Sequence, residues 1–374
     1  MATALLDDFG IGDARERDEA WRYSKTALRA LAQNAFVGAD GQANLPAELM
    51  RRFAWPETAG FRLVFVNGVH SAAHSDAGSL GPDVVEHGGE SIRLVLARDE
   101  QRVHLVHVSV PGPTAARWSA TLQVAVRCRG AQIIEQHIGA AGADVLGALN
   151  VQTVVEANAG LQTTLLTDLP DTASLYRRDT TRVAAAASHA SAHALFGGRL
   201  QRHDIRVDLS GEHSLHRARG VFALRGREHV DAHLDVRHAA RDTTCDVLWR
   251  GVADQRGRGI LHGAIRVDPG ADGADARLQT KNLLLSAHAE IDAQPVLEIY
   301  ADEVKASHGA TVGQLDAQAL FYLRSRGIPE AQARSLLIAG FCREAFTGID
   351  DAHLRARLEA ALDQRLPDSA AVQS

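Results

Sequence analysis

Eighteen histidines and three cysteines are the residues of this 374-residue chain best suited to metal binding or nucleophilic chemistry. Cys128, Cys245 and Cys342 are scattered, with no CxxC pair. Neither a disulfide framework nor a self-contained zinc or cluster site is therefore expected, and metal chemistry has to borrow ligands from elsewhere. His229 and His233 stand four apart, which on a helix would give one zinc-binding face. The residues around them alternate instead: Val230-Asp231-Ala232-His233-Leu234-Asp235-Val236. On a strand, side chains four apart share a face but lie ~13 Å from each other, too far for one ion with Zn–N bonds near ~2.1 Å. The pair reads as solvated partners of Asp231 and Asp235.

Other catalytic signatures are missing. The only lysines are Lys25, Lys281 and Lys305, and none follows a glycine, so a phosphate-cradling G-x-x-x-x-G-K-[ST] loop cannot form. Gly257-Arg258-Gly259-Ile260-Leu261-His262-Gly263 has its last glycine one place too far for a dinucleotide loop and lacks a βαβ setting. It reads as a β-turn. No G-x-S-x-G elbow or H-E-x-x-H pair occurs. Lys and Arg number 40 against 46 Asp and Glu, a formal charge of −6 without a long like-charge block, which argues against nucleic acid or an anionic membrane as partner. Nor does any stretch approach the ~18 apolar residues of a spanning helix, and a cytoplasmic protein is expected.

Elements of several kinds must position these residues. From Asp13 to about Asn34, Trp21, Ala27, Leu28 and Leu31 share one side of a helical period, predicting an amphipathic helix. The run Phe61 to Val66 ending in Asn67-Gly68 predicts a strand and a tight turn, and Gly78 to Gly89 a loop. In the middle of the chain, His203-Asp204-Ile205-Arg206-Val207-Asp208-Leu209 alternates like the run at 230–236. Glycines at 211, 220, 226, 251, 257, 259 and 263 punctuate at short intervals. That predicts an all-β core of short strands, equally compatible with a sandwich, a barrel or a solenoid, since no repeat of fixed length is visible. After Gly313 the period turns helical. Asp316 is placed to cap a helix carrying Leu320, Phe321 and Leu323, with Gly327 at its C′ position. Pro329 suits the first turn of a second helix with Ala333, Leu336, Leu337, Gly340 and Phe341, and Leu354, Leu358, Ala361 and Leu362 mark a third.

Leu297-Glu298-Ile299-Tyr300-Ala301-Asp302-Glu303-Val304-Lys305-Ala306-Ser307-His308-Gly309-Ala310-Thr311-Val312-Gly313 resembles the signature of the SufB/SufD family of iron–sulfur cluster assembly proteins. Leu320-Phe321-Tyr322-Leu323-Arg324-Ser325-Arg326-Gly327-Ile328 follows at the family's interval. Upstream, Arg202-His203-Asp204-Ile205, Gly211-Glu212, His229 to His233, Trp249 to Val252 and Lys281 to Leu285 look like its core repeats, and Glu19-Ala20-Trp21-Arg22-Tyr23 is similar to its first helix. The resemblance is dense from about Arg199 to Glu344 and thin before that. It implies a mainly β fold: a right-handed parallel β-helix core over 61–312, an N-terminal helical region over 1–60, and a C-terminal helical domain over 313–374.

The resemblance also implies a function. Members pair as a SufB–SufD heterodimer bound by the ATPase SufC, so the chain is expected to be a non-enzymatic scaffold subunit of a SufBCD complex. The helical tail would dock SufC, through Leu320, Phe321, Tyr322, Leu336, Leu337 and Phe341. His308, by itself an unremarked histidine beside Ser307 and Gly309, matches the family's interfacial histidine. There it would meet a SufB cysteine around iron or a transient iron–sulfur cluster, with no intrinsic cofactor; imidazole and thiolate are both good ligands for iron. Many SufD sequences have cysteine two residues before this histidine, and here that position is Ala306, so no thiolate can come from it. The Ser307-His308-Gly309-Ala310-Thr311 form belongs to the SufD branch. Without its partner, an unpaired solenoid edge would favour a homodimer. The alternative is a β-solenoid carbohydrate-active enzyme, which needs clustered carboxylates and sugar-stacking aromatics; aromatics make up only 5% of the chain.

Overall fold

The computed structural model describes residues 21–31, 36–38, 45–53, 61–76, 85–88 and 91–366. Alternating runs dominate because each strand buries one row of side chains against the facing sheet. One sheet stacks, in parallel, Phe61–Val66, Arg102–Ser109, Ala131–Gly139, Gly160–Leu169, Ser188–Gly197, Leu215–Leu224, Thr244–Ala253, Asp275–Leu284 and Lys305–Gly313. The second stacks Ser91–Leu96, Ala116–Val126, Val145–Val155, Ser174–Val183, Leu200–Leu209, His229–His238, Arg258–Val267 and Glu290–Ile299. Successive strands alternate between the sheets, so the chain winds a parallel β-solenoid of about 8 turns.

The solenoid has a repeat that composition conceals. One inward column of the first sheet reads Val103, Ile133, Thr163, Ser191, Ala218, Val247, Leu278, His308, at spacings between 27 and 31 residues. Parity is kept while residue type and corner length drift, so a fixed-length repeat is not legible in the sequence. The interior is filled mainly by aliphatic and aromatic side chains, among them Leu105, Ile133, Leu149, Val207, Phe222, Leu234 and Trp249. Gly220 is required by this packing: a Cβ there would lie 2.3 Å from the Trp249 ring.

Helices cover the outer faces. The helix expected from Asp13 to Asn34 is a turn at 21–24 followed by α1 (Lys25–Leu31), and positions 13–20 and 32–34 lie outside the described residues. Trp21, Leu28 and Leu31 bury against Tyr176 and Leu200 on the outside of the second sheet. A short helix, α2 (Ala47–Phe53), lies over the first sheet, with Leu45 and Leu49 against Val64, Val106 and Ile138. Asn67 and Gly68 take positive φ, as their turn between Phe61–Val66 and the antiparallel Val69–His70 requires. The loop expected over Gly78–Gly89 is corrected in part: Val85–Gly88 is a strand antiparallel to Ser91–Leu96, because Val85 can pair with Leu94 across a short hairpin. The rest of that stretch is outside the described residues.

The tail forms α3 (Ala317–Ser325), α4 (Glu330–Arg343) and α5 (Ala352–Asp363). The Asp316 carboxylate accepts from Gln318 N, and Gly327 follows α3 at φ +87, as its sequence position predicts. Pro329 stands one place before α4, at its N-cap. Ile338, Ala339, Cys342, Phe346, Leu354, Leu358 and Leu362 pack on the outward residues Ala194, Phe196, Val221, Ala223 and Val252. Arg250, wholly buried, locks this contact: it donates to Glu344 at 2.7 and 3.0 Å and lies 5.7 Å from the Phe341 ring.

Candidate functional site

The solenoid's last turn ends at Lys305–Gly313 in one sheet and Glu290–Ile299 in the other, and each is the terminal strand of its sheet. His308 pairs in register with Leu278 and so belongs to the inward column. No further turn covers it among the described residues, and the imidazole that parity would bury is exposed. Almost every residue of Lys305–Gly313 is exposed, as are Ile299 and Tyr300 beside it. An outer strand edge carries a row of backbone donors and acceptors open to pairing with another chain. Ala306 stands in the next inward column and is only half-buried.

None of the cysteines is near this end in reactive form. All three are free and buried. Burial pushes the thiols of Cys245 and Cys342 up to about 12, so neither supplies a thiolate at neutral pH. Cys342 is the small apolar filler its helix position implies.

The tail residues separate by face. Phe321 is 71% exposed, Tyr322 57% and Leu336 42%, while Leu320 and Leu337 are half-buried and Phe341 faces Arg250 on the solenoid. Large apolar side chains left in the open on α3 and α4 are candidates for covering by another protein. Arg324 to Glu330 at 3.3 Å braces the two helices.

His229 and His233 share a face, as expected of a strand, but His229 is not solvated. The turn leading into α1 covers it: Ser24 Oγ lies 3.0 Å from His229 Nε2 and donates to Asp231 at 2.5 Å. Asp231 also accepts from Arg202 at 2.9 Å and lies 3.0 Å from His233. Burial alone would raise the Asp231 pKa, but the Arg202 guanidinium and these hydrogen bonds hold it well below the usual carboxylate range. Asp235 pairs with Arg206, at 3.5 Å, and not with histidine. With no room for a substrate at a fully buried Ser24, this Ser–His–Asp grouping is a latch for the N-terminal helix.

Sequence reasoning missed a polar chamber inside the solenoid. Glu135 and His137 point inward from the first sheet, His107 sits beside His137 in register, and Arg177 and Asp179 face them from the second. His137 Nε2 lies 2.6 Å from Glu135 Oε1, Arg177 donates to the same oxygen, and Arg177 clasps Asp179 at 2.7 and 2.8 Å. Burial would raise Glu135, yet Arg177 and His137 keep it well below its ordinary range, whereas burial leaves Asp179 raised despite Arg177. The one available signal was Glu135-x-His137 on an alternating run with His107 a turn earlier. Only the coil register reveals it.

The fold is thus a parallel β-solenoid with helical covers, a histidine on its open final turn and an exposed apolar helical face. The chain belongs to the SufBD family: the family model for the SUF system FeS cluster assembly SufBD core domain matches residues 112–341. It is similar to the iron–sulfur cluster assembly protein SufD of Escherichia coli, 29% identical over 95% of this chain and 89% of that protein. An iron–sulfur cluster assembly SufBD family protein of Mycobacterium tuberculosis is 32% identical over 73% of this chain and 70% of its own length. One from Synechocystis is 26% identical over 94% and 87%. Among the described residues no helix is long and apolar enough to cross a membrane.

Proposed function

We propose that this chain is a SufD-type, non-enzymatic scaffold subunit, working in the cytoplasm with a SufB-type partner and the ATPase SufC. Its substrate is iron and a nascent cluster held at a subunit boundary. The carrying observation is His308, inward by register yet exposed because the solenoid stops there. A partner strand added to the edge at Lys305–Gly313 would continue the stack and bring its own ligands to the imidazole. Ala306 leaves that imidazole as the one soft or borderline ligand this segment offers, so the thiolate must come from the partner. Phe321, Tyr322 and Leu336, with Leu320, Leu337 and Phe341 behind them, form the surface that SufC would cover.

The test is co-expression with the SufB- and SufC-type proteins of the same organism. The three should co-purify, and His308→Ala should leave the complex assembled but lower its iron and sulfide content. A well-folded chain that retains neither partner would defeat the assignment; normal cluster loading of the variant would remove His308 from the site.

A further inference from the structure

The polar chamber adjoins groups that its ion pairs leave untouched. A cavity of about 40 Å³ lies between the two sheets, lined from the first by Thr163, Ser191 and His193 and from the second by Thr153, Asp179 and Thr181. His189, Ser191 and His193 occupy alternate positions of the strand Ser188–Gly197 and point inward, in the same row as the core residue Leu195. Each is more than nine-tenths buried.

Both ring nitrogens of His193, the Ser191 hydroxyl and His189 Nδ1 have no hydrogen-bond partner among the described residues. The other His189 nitrogen is 3.1 Å from Thr163 Oγ1. The His193 ring is stacked on Trp249, with centroids 5.6 Å apart. Burial pushes its pKa down to about 3, so at neutral pH the imidazole is uncharged and presents one N–H donor and one bare nitrogen acceptor. Unpaired polar atoms gathered at one cavity are costly in a protein interior, where such groups find a partner.

The chemistry of the wall selects the occupant. The charged groups nearby are already committed to one another: Arg177 donates to Glu135 and clasps Asp179 through both carboxylate oxygens. What is left over is neutral and asks for a molecule that donates and accepts at once. Cavities that stay dry are lined by hydrocarbon, whereas a water site needs about two to four polar partners and roughly 10–15 Å³. This cavity of about 40 Å³ has room for about two or three water molecules.

We infer that the cavity is a binding site for a cluster of about two or three internal waters, anchored on the first sheet by His193 and Ser191 and on the second by the Thr153 and Thr181 hydroxyls. The cluster bridges the sheets where the inward column turns from Ile133 to the hydroxyls of Thr163 and Ser191 before returning to Ala218 and Val247. The site rests on neither the partner interface nor His308.

A high-resolution crystal structure of the full chain should show ordered water within hydrogen-bond distance of His193 and Ser191. Oxygen-17 magnetic relaxation dispersion, which counts long-lived buried waters in solution, should lose about one water or more in His193→Leu and stay unchanged in His308→Ala. The nitrogen NMR spectrum of His193 should show an uncharged ring whose bare nitrogen is hydrogen-bonded, a signature that packing alone does not give. The wild-type crystal and spectrum decide the matter if His193→Leu fails to fold. A cavity without water density, a His193 ring turned onto protein partners, a solute other than water in the cavity, or an unchanged water count in folded His193→Leu would overturn the inference.

Discussion

Acidification below pH 6.5 should destabilise this protein steeply. Burial holds four imidazoles at about 4: His104, beside Gln136, Arg62 and Asp76; His216, under the His189 carbonyl with His238 and Arg219 near; His229, against Ser24, Asp231, Arg202 and Arg258; and His238, on Thr243 near Asp275. Their unfolded counterparts titrate near ~6.5. The native state thus binds fewer protons than the unfolded chain at every pH between those values. Stability then rises with pH, is complete above ~6.5, and is lost as pH falls toward 4. Between pH 6.5 and 5.5 each group contributes a loss of about 1 kcal/mol, so the four together remove about 4 kcal/mol. His189 and His203, buried and held well below the ordinary imidazole range, act in the same direction. Against a total stability of about 5–15 kcal/mol, that is a large fraction. Urea unfolding at half-unit pH intervals measures it: the midpoint should fall sharply over this window while the m-value stays constant. A change of less than about 1 kcal/mol from pH 6.5 to 5.5 would refute the reasoning, because it would mean that these imidazoles already carry protons in the folded protein.

Phe321→Ala, Tyr322→Ala and Leu336→Ala, all exposed, should each change stability by less than about 0.5 kcal/mol. Combined, they should abolish co-purification with the proposed ATPase partner, and retention would show that such a partner binds elsewhere. Gly220→Ala drives a methyl into the Trp249 ring and should cost about 1–3 kcal/mol or more by thermal or urea unfolding, with no loss of fold at Gly309, where a Cβ meets open space. A thiol reagent should titrate no cysteine in the native protein and all three after unfolding, since each is buried. A fast-reacting thiol in the native chain would mean that one of them is accessible for chemistry.

Local features were legible where one short-range rule decides them. Asn67-Gly68, the Asp316 cap and Gly327 each follow from a single backbone requirement met within a few residues. Strand parity at 203–209 and 230–236 was equally plain, and the family resemblance supplied the winding that parity alone left open between sandwich, barrel and solenoid. What could not be read was any property set by register across turns. His107 and His137 are adjacent only because thirty residues of chain return to the same height, and the corners vary enough to hide that period. His229 illustrates the other limit: its alternation placed it correctly on the outward face, but that face is covered by Trp21 and Ser24 from about two hundred residues away, a contact invisible to any local pattern.

The solenoid also explains why His308, the proposed ligand, lies where it does. Each turn buries its inward row against the facing sheet and beneath the next turn, so the final turn leaves its interior positions open on one side. Trp249 and Leu278 fill the stack just beneath, while His308 replaces the aliphatic residue that a continuing core would need. Phe or Leu at this position would leave a sticky apolar end, and Lys would block stacking by its charge; an imidazole is soluble when the end is open and remains a ligand when it is closed. That dual character predicts an asymmetry between substitutions: His308→Leu should increase self-association of the isolated chain, measured by sedimentation velocity, whereas His308→Ala should not. Equal association states for both variants would show that the end is already covered by other means, and would remove the reason for placing a partner there.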